Sequence, residues 1–248
     1  MVKRITTYFI KGVLIMATLM AALTGCNTVD EKATEPIITG LTAKYGKTFT
    51  VYALGDRIDK DTATAFVYAD DDPTLLFTAR STPKGELVFE NYAYRSVCRS
   101  VEKIVNAAFA KANIDSECFA DFSAVNNNLD IGISVESYIK ETSADSIVIT
   151  LIAKASDAIT AENLEKVYND VYSQLSGIHI GTGLYVLTSD DYGKIAESVR
   201  LETQVFDAYR LKVHGAESSI IELNIRMTDK GMSLSADEIN SALSKGVD

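Results

Sequence analysis

Four short apolar runs, each ended by turn-forming residues, follow one another in the first half of the chain. They are residues 48–54, 63–69, 75–80 and 86–92. Apolar or aromatic side chains alternate with polar ones along them, as expected for strands that bury one face. The residues between the runs are typical of turns, namely Gly55-Asp56, Asp70-Asp71-Asp72-Pro73 and Pro83-Lys84-Gly85. Because such connections are too short for a parallel crossover, the sequence predicts an antiparallel meander.

Helical periodicity and further strand-like runs fill the rest of the chain. Residues 94–113 place apolar side chains on one face, and residues 161–176 repeat apolar side chains at three- and four-residue spacing. Other helices are predicted at 36–45, 135–141, 192–200 and from Ser235, and other strands at 147–154, 178–188, 206–213 and 219–227. The sequence therefore predicts an α+β fold of antiparallel sheet or sheets with covering helices.

The polar triplet Asn126-Asn127-Asn128 is the predicted boundary between two structural units. Each unit, 37–125 and 126–248, combines strands with covering helices. One continuous domain remains the alternative, because 223 residues after position 25 suit either arrangement. No residue-level repeat relates the two halves.

The first 25 residues have the plan of a secretory signal peptide. Lys3 and Arg4 precede an uncharged run, GVLIMATLMAAL, that ends at Leu23. As a helix this run rises about 18 Å, short of the roughly 30 Å hydrocarbon core of a bilayer. A cleaved signal is therefore favoured over a permanent transmembrane helix.

Leu23-Thr24-Gly25-Cys26 resembles the lipobox of bacterial lipoproteins. The resemblance implies that the Cys26 thiol receives a diacylglycerol and that Cys26 becomes the mature N-terminus. Residues 26–36 would then tether the domain to the outer face of the cytoplasmic membrane, or to an outer membrane in a two-membrane cell. The alternative is an ordinary signal peptide in which Cys26 has no role. A helix, Tyr45-Gly46-Lys47 and a strand open the domain, which is similar to small lipoproteins of Gram-positive bacteria and implies no activity.

The charge balance argues against nucleic acid as a partner. The formal net charge is −10, and removal of Lys3, Arg4 and Lys11 with the signal makes it −13. Nucleic-acid binding needs clustered basic residues, and anionic lipid headgroups would repel the domain. We therefore expect membrane contact through the N-terminal lipid, with an envelope protein as the further partner.

Cys98 and Cys118 are predicted to form a disulfide. About 14 helical residues climb about 21 Å from Cys98, and an extended return to Cys118 covers about 20 Å, so the two sulfurs could meet. The alternative is a pair of unpaired, buried cysteines.

The candidate catalytic and ligand motifs are incomplete. Ser100 and Lys103 match the S-x-x-K spacing of penicillin-binding enzymes, but the S-D-N and K-T-G partners of that motif are missing from the sequence. Gly181-Thr182-Gly183 lacks the third glycine of a dinucleotide loop, and the Asp70–Asp72 run lacks calcium-loop spacing. His179 and His214 have no zinc-motif companions. We therefore predict no catalytic residue, metal site or cofactor.

The prediction of a binding surface rests on four tyrosines in or just after the first predicted sheet. Tyr52, Tyr68, Tyr92 and Tyr94 could share an exposed face, and tyrosine suits recognition because it offers contact area at low entropic cost. Ordinary half-buried strand positions are the alternative. We expect a lipid-anchored, non-enzymatic binding protein of unidentified ligand, with a cell-envelope hydrolase as the alternative.

Overall fold

The computed structural model of the chain describes residues 31–55, 62–82, 84–202 and 221–245. Six helices and nine strands lie in that part, and the strands form two sheets. In chain order they are α1 (Glu31–Tyr45), β1 (Phe49–Leu54), β2 (Ala63–Ala69), β3 (Asp72–Ser81), β4 (Leu87–Glu90), α2 (Tyr92–Lys111), β5 (Ser116–Phe122), α3 (Val135–Thr142), β6 (Ser146–Lys154), α4 (Ala161–Gln174), β7 (His179–Leu187), α5 (Ser189–Arg200), β8 (Ile221–Thr228), β9 (Gly231–Met232) and α6 (Ala236–Lys245).

The first sheet is the predicted antiparallel meander, with strand order β1-β2-β3-β4. Its inner face packs against α1 through Ile37 and Leu41, which are fully buried. Rings on that face meet edge to face, with 5.4 Å between the centroids of Phe49 and Tyr92. The strand alternation therefore places one apolar face of the sheet under α1.

The buried carboxylate of Glu90 ties α1 to the first sheet. The Tyr45 hydroxyl donates to Glu90 Oε1 at 2.7 Å, the Tyr92 amide donates to Oε2 at 2.8 Å, and Lys44 forms an ion pair with the same carboxylate. Burial and the hydrogen bond to Glu90 raise the pKa of Tyr45. The end of α1 is therefore held to the end of β4 by charge as well as by packing.

The second sheet has strand order β5-β6-β7-β8-β9 and carries helices on both faces. Neighbours are antiparallel except β6 and β7, which are parallel and joined through α4. Helices α2 and α4 cover one face of this sheet and form the largest core. On the other face, α5 packs through Ile195 and Val199 onto Phe119, Ile152 and Tyr185. The α+β class is thus confirmed, with one parallel pair inside a mostly antiparallel fold.

The start of α1 and the first strand of the second sheet differ from the sequence prediction. Helix α1 begins at Glu31, so it includes part of the segment 26–36 that was predicted as a tether, and Pro36 lies inside it. The second sheet begins at Ser116 with β5, a strand that the sequence analysis did not identify. In the chain, α2 therefore separates the strands of the first sheet from those of the second.

The remaining predictions concern either elements that the structure confirms or residues outside the part of the chain that it describes. Ser235 caps α6 as predicted, since its Oγ accepts from the Glu238 amide at 3.3 Å and the Glu238 carboxylate accepts from the Ser235 amide at 2.8 Å. The signal peptide, Cys26 and the strand predicted at 206–213 lie outside the described residues. Among the helices that are described, none has the length and apolar character needed to cross a membrane.

Candidate binding surface

The face of the first sheet opposite α1, termed the outer face, is the candidate binding surface. Along β2 the side chains of Ala65, Val67 and Ala69 enter the core, so the intervening Thr64, Phe66 and Tyr68 point to the outer face. Phe66 and Tyr68 are half-buried. An aromatic strip therefore runs along the second strand on the side that α1 leaves uncovered.

The outer face ends in a row of four residues on the four strands. Thr64 pairs in register with Arg80, and Arg80 pairs with Phe89. On the first strand the Gly55 amide donates to the Thr64 carbonyl at 2.9 Å. A side chain at Gly55 would meet the Thr64 methyl carbon at 2.9 Å, so the glycine lets the two strands lie close here. The guanidinium of Arg80 stacks 4.9 Å from the centroid of the Phe89 ring.

The four tyrosines of the sequence prediction divide between this face and the core. Tyr52 and Tyr68 are half-buried. Burial and then the charge of Glu197, a residue of α5, raise the pKa of Tyr52. Tyr92 and Tyr94 are buried at 3% and 4% exposure, so the prediction of four exposed tyrosines is wrong for these two. Both residues belong to α2, and the helix directs their rings into the core. Strand alternation does not predict this orientation.

Behind the outer face, α2 carries a buried cluster of charges formed by Arg95, Arg99 and Glu102. Arg95 Nη2 contacts Glu102 Oε1 at 2.8 Å, and Arg99 Nη1 contacts Glu102 Oε2 at 2.9 Å. The Arg95 guanidinium also lies 4.1 Å from the centroid of the Phe119 ring. One carboxylate thus faces two guanidinium groups, so the cluster needs further partners for its positive charge.

Arg99 finds those partners on two other elements. Its Nη2 donates to the Thr74 carbonyl of β3 at 2.6 Å and to the Arg200 carbonyl at the end of α5 at 2.9 Å. A helix C-terminus carries partial negative charge, which favours a cation. A single side chain therefore joins the first sheet, α2 and α5 and fixes the border of the outer face.

Cys98 and Cys118 are free and buried, so the predicted disulfide is not formed. The strand β5 returns alongside α2, but its register places Glu102 next to Cys118, whose Sγ donates to the Glu102 carbonyl at 3.6 Å. Cys98 lies one helical turn earlier, about 6 Å along the axis. Burial raises the pKa of Cys98 to about 12 and raises that of Cys118 as well. The alternative of two unpaired, buried cysteines therefore describes this structure.

Ser123, Asp145 and His179 come together at one end of the second sheet. The hydrogen bonds with Ser123 and Ser146, followed by the nearby His179, lower the pKa of Asp145. However, the Ser123 hydroxyl donates directly to Asp145 Oδ1 at 2.7 Å and accepts from the amides of Asp145 and Ser146, both at 3.2 Å. A nucleophilic serine needs a histidine in the place that the carboxylate takes here. The group therefore stabilises a strand end and gives no support to a hydrolase.

The other sequence motifs are found in structural positions. Ser100 and Lys103 are exposed on α2, and the Ser100 hydroxyl donates to the Ser96 carbonyl. Gly181 and Gly183 lie within β7. Asp70 accepts from the Thr50 hydroxyl at the turn between β2 and β3. His214 lies outside the described residues, and within them no group of three or more His, Cys, Asp or Glu side chains could hold a metal ion.

Comparison with known proteins shows a fold and no family. No family model matches the chain, and no curated protein matches it. The chain is similar to the crystal structure of a DUF5037 family protein from Ruminococcus gnavus, with a TM-score of 0.70 and 16% sequence identity. The likeness covers 85% of this chain and 98% of that one. At this identity it concerns the fold alone.

The sequence analysis did not single out Phe66, Arg80 and Phe89. Their strands were identified, but the face of Phe89 depends on a bulge in β4, between the pairs Arg80–Phe89 and Ser81–Leu87. A bulge shifts the alternation by one residue. The signal that could have found them is the alternation along β2, which is regular from Ala63 to Val67.

Proposed function

We propose that the chain is a lipid-anchored, extracytoplasmic binding protein, acylated at Cys26, that engages an envelope protein through the outer face of its first sheet. The observation that carries the proposal is the composition of that face. Tyr52, Phe66, Tyr68 and Phe89 are half-buried aromatic residues of the first sheet, and the Phe89 ring stacks on Arg80. Aromatic residues and arginine are the residues that dominate binding energy at protein interfaces.

The support of the face favours recognition without large rearrangement. Four hydrogen-bonded strands hold the rings, and Arg99 ties β3 to α2 and α5 near Thr74. A rigid surface loses less conformational entropy when a partner binds. The chain as a whole is acidic, with a net charge of −10, so a cation within an aromatic strip also gives local specificity.

The test of the binding surface is a cross-linking pull-down of the lipidated protein from intact cells, quantified by mass spectrometry. We expect one dominant partner near stoichiometric amounts, which the variant Tyr68→Ala loses. Tyr172→Ala is the matched control, because Tyr172 is a half-buried tyrosine of α4, on the second sheet. Retention of the partner by Tyr68→Ala, or failure to capture any partner, would contradict the proposal.

The anchor has a separate test. Cys26→Ser removes the thiol that the lipobox resemblance assigns to acylation, so we expect the protein to move from the membrane fraction to the soluble fraction. Cys118→Ser is the control, since its thiol is buried in the core. Continued membrane association of the Cys26→Ser protein would contradict acylation at this residue.

A further inference from the structure

Two buried polar atoms on the outer face lack hydrogen-bond partners within the described residues. They are Thr64 Oγ1 and Arg80 Nε. Thr64 has an exposure of 7%, and it stands opposite Arg80 in the register of β2 and β3. Side chains paired in this way across antiparallel strands have Cβ atoms about 5 Å apart. The two unpaired atoms therefore lie close together, just beneath the outer face.

An unpaired buried polar group is unfavourable, and its presence calls for a ligand or a bound water. The loss is greater for a charged group than for a neutral one. Two such groups side by side, one of them a guanidinium N–H, do not contribute to stability. They suit a binding site whose ligand supplies the missing acceptor.

The orientation of Arg80 suits a planar anion. The Phe89 ring lies against the guanidinium and limits its rotation, while the Nε–H and a neighbouring Nη–H form the edge that binds a carboxylate through two parallel hydrogen bonds. The Thr64 hydroxyl can donate a third. Among the residues that this row contains, Arg80 is the single cation, which matches a monoanion better than a doubly charged phosphate.

We propose that Arg80, Thr64 and Phe89 form a carboxylate-binding site on the outer face. The inference rests on the proposed function and deepens it, since it assigns to the partner an acidic side chain or a C-terminal carboxylate that docks at Arg80. The aromatic strip of Phe66 and Tyr68 then contacts the apolar residues that flank this carboxylate.

The test uses acetate as the probe and the Nε–H resonance of Arg80 as the readout. Protein labelled with ¹⁵N is titrated with sodium acetate, sodium phosphate or sodium chloride at constant ionic strength. We expect a saturable shift of the Arg80 signal with acetate and a weaker one with phosphate. The exposed Arg226 of β8 serves as an internal control that shows no saturation.

Two variants separate the hydroxyl from the shape of the side chain. Thr64→Val keeps the volume and removes the donor, so we expect acetate affinity to fall about tenfold, as for one charge-assisted hydrogen bond. Thr64→Ser restores the hydroxyl and should restore most of the affinity. The rest of each spectrum reports whether the variant is folded.

Several results would overturn the inference. An identical response to acetate and chloride at Arg80 would assign the unpaired atoms to bound water. A stronger response to phosphate than to acetate would reject the carboxylate assignment, and equal affinity in Thr64→Val would remove Thr64 from the site. Because acetate binding is measured without the partner, loss of this site and loss of the partner in the pull-down are separate outcomes.

Discussion

Burial of both remaining cysteines makes their thiols chemically inert in the folded protein. Cys98 has an exposure of 0% and Cys118 of 1%. Because burial raises the pKa of Cys98 to about 12 and raises that of Cys118 too, both are protonated at pH 8. A thiol reacts as its thiolate. We therefore expect the Cys26→Ser protein to show no fast reaction with a disulfide reagent at pH 8 and two reactive thiols after unfolding in urea.

The mass of the same protein under non-reducing conditions is the control for that titration. A mass lower by two hydrogens, with no thiols released by urea alone, would mean that Cys98 and Cys118 are joined after all. One thiol reacting in the native state would show instead that α2 and β5 separate readily.

Asp121 provides a pH prediction at a single position. Burial raises its pKa above the ordinary value of 3.8, and its carboxylate accepts a hydrogen bond from the Tyr94 hydroxyl. The folded protein therefore holds this proton to a higher pH than the unfolded chain does. The contribution of Asp121 to stability is greatest below pH 3.8 and is lost as the pH rises through the folded pKa.

Asp121→Asn keeps an oxygen for Tyr94 and removes the ionisation. We expect the free energy of unfolding of the variant, relative to that of the natural protein, to increase from pH 3.5 to pH 7, because only the natural protein loses stability as Asp121 ionises. Urea unfolding followed by circular dichroism at several pH values measures this difference. A difference that is independent of pH would contradict the raised pKa.

The strand β5 is the element that connects the two halves of the core. On one side Cys118, Ala120 and Phe122 pack beneath α2, and on the other side Phe119 packs beneath α5. Phe119 also carries the stacked guanidinium of Arg95. We expect Phe119→Ala to lower the free energy of unfolding by about 3–5 kcal/mol, as for other buried aromatic truncations.

Val148→Ala is the matched control on the neighbouring strand, because Val148 is 46% exposed. Its effect should stay within about 0.5 kcal/mol. Chemical denaturation measures both variants, and a similar small effect for Phe119→Ala would mean that α5 does not depend on this contact.

The same strand shows why part of the fold could be predicted and part could not. The strand predicted at residues 63–69 matches β2 residue for residue, because Ala65, Val67 and Ala69 on one face of that strand meet the core. In β5 both faces are buried, and Glu117 and Asp121 interrupt its apolar pattern. Neither alternation nor a continuous apolar run is then visible, so tertiary packing alone defines this strand.

The candidate site follows the same rule. The aromatic character of β2 is readable from its alternation, and Tyr68 was predicted on the correct face. Arg80 follows the regular alternation of Leu75, Phe77 and Ala79 but was not singled out. Phe89 was missed because a bulge between Leu87 and Phe89 changes its face. Arg99 and Glu102 lie on the polar side of α2 and are nevertheless buried. The apolar periodicity of the helix does not predict this, because β3 and α5 pack over that side and provide partners for Arg99.

The two sheets are held together by charge as much as by apolar contact. Arg99 is the point where this matters most, since it contacts Glu102 of α2, Thr74 of β3 and Arg200 of α5. Hydrogen bonds to charged groups contribute about 1.5–3 kcal/mol each, and their loss leaves buried carbonyls unpaired. The planar guanidinium can reach three partners at once, whereas a lysine ammonium is a point charge with a different geometry.

Arg99→Lys therefore keeps the charge and removes the connection between the sheets. We expect the first sheet, β1–β4, to exchange its amide hydrogens at lower urea concentrations than the second sheet, while in the natural protein both sheets become exposed together. Hydrogen exchange with mass spectrometry resolves the two sheets as separate peptides, and Arg226→Lys on the exposed side of β8 is the control. If the two sheets of Arg99→Lys still exchange together at an unchanged midpoint, the apolar contacts of α2 with β3 and β5 are sufficient to unite them. If they separate, partner binding at the outer face should weaken as well, because Arg99 fixes the strand that carries Arg80.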